Sequence, residues 1–61
     1  MNETRPTYEI FKQTKAGRVW VETVTGFPRA KRRLLYLAGA SLETHFLYDS
    51  VTGTQIDVPK N

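Results

Sequence analysis

Apolar positions along the chain fall into short runs of two different periods. The segment Tyr8 to Gln13 carries Tyr8, Ile10 and Phe11 and reads as a strand, followed by a turn at Lys15-Ala16-Gly17-Arg18. Val19-Trp20-Val21-Glu22-Thr23-Val24-Thr25 is almost entirely β-branched or aromatic, which predicts a second strand and hence a hairpin. Gly26-Phe27-Pro28 breaks that strand, and proline suits a first helical turn because its missing N–H is not needed there. Arg29 to Ala40 is then rich in helix formers. At roughly 100° per residue, Phe27, Ala30, Leu34, Leu37 and Ala38 share one face and Arg29, Arg32, Arg33 and Tyr36 the opposite one. This predicts an amphipathic helix of about three turns, stopped by Gly39 at its C′ position. Thr44 to Tyr48 predicts a third strand. Asp49 to Gly53 predicts a turn capped by the Asp49 side chain, with Gly53 at positive φ. Gln55 to Val58 alternates polar and apolar as a closing strand does.

The predicted order is β-β-α-β-β, an α+β fold: an antiparallel sheet of three or four strands with the helix packed on one face. One domain is expected over residues 8–58, with a flexible N-terminal arm at 1–7 and a short tail at 59–61. Alternation assigns Tyr8, Ile10, Val19, Val21, Ile56 and Val58 to the helix side, where Phe27, Ala30, Leu34 and Leu37 meet them. In the third strand either Phe46 and Tyr48 or Leu47 face inward. Phe11, Trp20 and Val24 are left on the outer side, which a single helix cannot cover.

Composition narrows the function classes. With 61 residues there is room for one thin core and not for a large enclosed active site. A content of 39% hydrophobic and 25% charged residues places the chain among globular rather than disordered sequences. The absence of cysteine removes disulfides, thiolate metal sites and cysteine nucleophiles, and fits a reducing cytoplasm. His45 is the single histidine, so no metal or cofactor site is expected. No apolar run approaches the roughly 20 residues that span a bilayer, and no signal peptide is expected.

Tyr8-Glu9-Ile10-Phe11, Trp20-Val21-Glu22, Ala30-Lys31, Leu37-Ala38 and Phe46-Leu47-Tyr48-Asp49 with Thr52-Gly53 follow one another along the chain. In this the sequence resembles a set of short bacterial proteins that read Y-x-I-F, W-V-E, A-K, L-A and F-x-Y-D-x-x-T-G in the same order. The resemblance spans residues 8–58 and implies a bacterial origin and the β-β-α-β-β fold. It implies no activity and no functional residues. This chain departs from the pattern at the helix start, where Gly26-Phe27-Pro28-Arg29 replaces a serine or aspartate followed by acidic residues.

Three constellations are candidates for chemistry. Arg29, Lys31, Arg32 and Arg33 lie within five residues with no acid between Glu22 and Glu43. Continued by Tyr36 and helped by Arg18 and Lys15, they form a candidate nucleic-acid or anion surface. The bland alternative is a solvated helix face, although cations sit unfavourably near a helix N-terminus. Phe11, Trp20, Val24, Phe46 and Tyr48 form a candidate partner or dimer interface on the outer sheet face, preferred here over base stacking. Glu43, His45 and Asp49 share a strand face, yet no nucleophile or pocket accompanies them, so no catalytic residue is assigned. The expected function is a small non-enzymatic binding module that self-associates or binds a protein partner through the outer sheet face. The alternative is nucleic-acid binding by the basic helix. No small-molecule substrate and no membrane contact are expected.

Overall fold

The computed structural model describes residues 6–57. The expected arm therefore falls largely outside the described residues, as do Val58 and the tail at 59–61. The described chain runs β1 (Thr7–Thr14), β2 (Gly17–Thr25), α1 (Phe27–Gly39), β3 (Thr44–Asp49) and β4 (Thr54–Ile56). The fold is α+β: a four-stranded antiparallel sheet in the order β2-β1-β3-β4, with α1 packed on one face. Thr7, expected in the arm, belongs to the sheet, and Pro6 is tied to the start of the helix. Thr7 pairs with Thr25, and the Pro6 carbonyl accepts a 2.8 Å hydrogen bond from Gly26 N–H.

The core is small. Ile10, Leu34 and Leu47 are fully buried, and Tyr8, Val24 and Ala30 complete the cluster, with Val21, Leu37 and Ile56 packed against it. Ala30, Leu34 and Ala38 recur every four residues, so they project from one side of α1 toward the sheet. The choice left open in β3 falls to Leu47, which joins the helix-side core, while Phe46 and Tyr48 face outward.

One residue moves Val24 to the side opposite the expected one. The β1–β2 register slips between Ile10 and Phe11: Ile10 pairs with Glu22, but Phe11 pairs with Trp20. Val21 is the extra residue of this β-bulge, and the alternation of β2 inverts across it. Val24, expected outside, opposes Tyr8 and is buried in the core. Val19 opposes Lys12 on the helix side, yet is 42% exposed, because α1 does not reach that corner. Phe27 is 38% exposed and meets the core residue Tyr8 edge-on, ring centroids 5.6 Å apart.

The helix begins immediately after β2 and ends just before β3, so it crosses the sheet and packs mainly over β3 and β1. A helix about 10–12 Å across cannot cover four strands spaced about 4.8 Å apart. The helix sides of the two edge strands, β2 and β4, are consequently the least covered parts of that face. Gly26 forms the N-cap at φ +91°, and its carbonyl accepts the first intrahelical bond, from Ala30 N–H at 3.0 Å. Gly39, expected just past the helix at C′, is instead its last residue, without positive φ. The termination uses Ala40, whose N–H lies 3.1 Å from the Tyr36 carbonyl and 3.2 Å from that of Leu37. The second turn follows expectation. Asp49 Oδ1 accepts from Val51 N–H at 3.0 Å, and Gly53 has φ +72°.

Candidate functional site

The outer sheet face is built from the two central strands. Phe11 of β1 and Phe46 of β3 are register partners, and their rings stack with centroids 5.7 Å apart. Tyr48 meets Phe11 edge-on at 6.2 Å. The Arg18 guanidinium lies 5.4 Å from the Phe46 ring centroid, a cation–π contact that helps leave Phe46 only 4% exposed. Phe46 is therefore a support for this face and not a contact surface in its own right. Trp20 is the large apolar group that the face offers to solvent, at 56% exposure. Its indole Nε1–H donates to Glu9 Oε1 at 2.7 Å, and Thr23 Oγ1–H donates to the same oxygen at 2.7 Å. Glu9 thus pins Trp20 in one orientation. Of the five expected interface residues, Phe11, Trp20, Phe46 and Tyr48 are brought together here, and Val24 is removed to the core by the bulge.

The basic helix divides into groups that do different things. Arg33 is committed to Glu22: Nε donates to Oε2 at 2.8 Å and Nη2 to Oε1 at 3.1 Å. That hydrogen-bonded pairing raises the Arg33 pKa above its ordinary value, so the guanidinium is charged at every accessible pH. Arg33 also lies 5.3 Å from the Tyr36 ring centroid. Lys31 is two positions from Arg33, about 200° around the helix, and sits on the other flank. Arg18 is on the far side of the sheet, over Phe46, and cannot assist the helix. The remaining stripe is Arg29, Arg32 and Tyr36, and neither arginine has an acidic partner among the described residues.

An open depression of about 370 Å³ lies between β2 and α1, lined by Glu22, Thr23, Val24, Thr25, Arg29 and Arg33. It opens where β2 ends the sheet.

Glu43, His45 and Asp49 do not form one site. Glu43 pairs with Lys12 at 3.3 Å through its carboxylate. His45 Nδ1 is 3.0 Å from the Glu43 backbone carbonyl, to which it donates, so no carboxylate orients the imidazole. Asp49 caps its own turn. Among the described residues no group of three or more His, Asp or Glu side chains is placed to hold a metal ion, and no helix is long and apolar enough to cross a membrane.

Glu9 and Glu22 are the residues that inspection of the sequence passes over. Each is an isolated acid within a strand, and each fixes a larger group across the fold. The usable signal is that a half-exposed tryptophan N–H and an arginine-rich helix both need acceptors. Comparison of the chain with protein-family models, with curated proteins and with solved structures found no match.

Proposed function

We propose that this protein is a small non-enzymatic binding module that self-associates through the outer face of its sheet, in a reducing, cytoplasmic setting that fits its lack of cysteine. The observation that carries this reading is Trp20: large, half exposed, and held rigid by Glu9 beside the Phe11–Phe46–Tyr48 cluster. Preorganised aromatic anchors of this kind dominate binding energy at interfaces. A sheet with one helix has a single covering layer, and a second copy supplies the other as a face-to-face sandwich. The face also carries both signs of charge, Arg18 and Glu9, which a two-fold arrangement can set opposite one another.

The area bounds the strength. Four strands about 4.8 Å apart and up to about 26 Å long give roughly 500 Å² per copy, or about 1,000 Å² for the pair. That is below the about 1,200 Å² of a standard stable interface, so the dimer is a weak one. Sedimentation equilibrium should show mass rising with concentration from 7.0 kDa toward twice that value. Trp20→Ala should weaken association by at least about tenfold, the effect of a hot-spot residue. A monomer throughout the accessible concentration range would overturn self-association and redirect attention to a different protein on the same face.

Arg29 and Arg32, which have no acidic partner among the described residues, support a second reading, anion or nucleic-acid contact along α1. Arg29, Arg32 and Tyr36 lie on the opposite side of the sheet from the aromatic face, so phosphate contact and base stacking cannot be combined on one strand. Two or three phosphate contacts predict affinity for a DNA or RNA duplex falling only about ten- to forty-fold between 50 and 200 mM salt. Binding that ignores salt, or that survives Arg29→Ala with Arg32→Ala, removes this reading.

A further inference from the structure

We propose that the free edge of β2, together with the depression beside it, is a docking groove for a short, extended, acidic segment of a partner protein. The groove is a surface distinct from the outer face and does not depend on it.

Three observations converge. First, β2 pairs only with β1, so the alternate N–H and C=O groups on its other side are unpaired along an edge strand of nine residues. Gly17–Thr25 contains no proline and no lysine, two of the residues that commonly guard such edges. Second, the depression of about 370 Å³ runs alongside Glu22 to Thr25 of that edge. A strand added to β2 would direct alternate side chains to opposite faces of the extended sheet, and one set would enter this space. Third, the charge in the depression is unbalanced. The Glu22 carboxylate is taken by both donors of Arg33, while Arg29 faces the same space with no acidic partner among the described residues. A guanidinium in that position selects a carboxylate, which it can hold through two parallel hydrogen bonds.

The same facts choose the occupant. A second copy pairing through β2 would bring Arg29 and Arg33 of both molecules to one seam, and β2 offers only one acid, already bound. The bulge at Val21 twists the edge away from regular pairing, so the usable register is the stretch from Glu22 to Thr25. A nucleic-acid backbone lacks the alternating donors and acceptors that a strand edge pairs with.

The test uses the intact protein and a capped six-residue peptide of alternating glutamate and valine, followed by amide chemical shifts and hydrogen exchange. Saturable binding is expected, with shifts concentrated at Glu22 to Thr25 and Arg29, and slowed exchange of β2 amides. Arg29→Glu should lower affinity about tenfold or more. Lys31→Glu, the same charge change on the other flank of α1, should leave it unchanged, which separates a contact in the groove from an effect of net charge. Equal binding of the lysine–valine counterpart, shifts confined to another surface, or no saturation would overturn the proposal. So would slowed β2 exchange that depends on protein concentration without peptide, since that would make a second copy the occupant.

Discussion

Leu34→Ala is expected to remove most of the stability of the fold. Leu34 is 1% exposed and packs among Ile10, Leu47 and Ala30 beneath the helix. Removing a buried leucine side chain costs about 2–5 kcal/mol, from lost transfer energy and the cavity left behind. A domain of 61 residues has roughly 3–9 kcal/mol in total. The variant should therefore melt at least about 10 °C lower, or be partly unfolded at room temperature, when followed by far-ultraviolet circular dichroism. Leu42→Ala is the matched control. Leu42 is fully exposed between α1 and β3, and its loss should change stability by less than about 0.5 kcal/mol. Similar losses at both positions would contradict the packing described.

The second large effect is a contrast between two glycines. A Cβ built on Gly26 or on Gly39 would meet nothing within 4 Å, so steric room does not distinguish them. Backbone conformation does. Gly26 sits at φ +91° and ψ 129°, where it ends β2, accepts from Ala30 and donates to Pro6. An L side chain is strained there, so Gly26→Ala should cost about 1–3 kcal/mol. Gly39 has ordinary helical geometry, and Gly39→Ala should raise stability by about 0.4–1 kcal/mol by restricting the unfolded chain. Thermal melts of the two variants should move in opposite directions. A neutral Gly26→Ala would mean that the strand-to-helix turn is not the one described.

The elements were legible because their signals are local. The β-branched run of β2, Pro28 at the helix start and the Asp49–Gly53 turn each carry their meaning within a few residues. Strand order was not legible, since the pairing of β1 with β3 is decided by which apolar faces can share one helix. Val24 lies on the side opposite the expected one for a related reason. Nothing in Val19-Trp20-Val21-Glu22 marks Val21 as an extra residue; the bulge arises from fitting β2 to β1 while both Val21 and Val24 reach the core. The aromatic residues of the outer face were recognisable as a set, but their division into a covered Phe46 and an offered Trp20 depends on Arg18 and Glu9 arriving from elsewhere. The basic helix was recognisable as a charge cluster. That Glu22 would claim Arg33 and not Arg29 depends on where the helix crosses the sheet.

The strand order β2-β1-β3-β4 also governs how the chain acquires its shape. Each terminal hairpin closes through a short turn, and neither is stable alone in water. The step that joins them sets Phe11 against Phe46 and Ile10 against Leu47, across the whole of β2 and α1. Until β3 arrives, β1 has one open side and the helix has half a floor. Folding is thus expected to be a single cooperative event limited by that distant closure, with β4 zipping on afterwards. During synthesis, β1 and the helix gain nothing permanent until β3 has emerged.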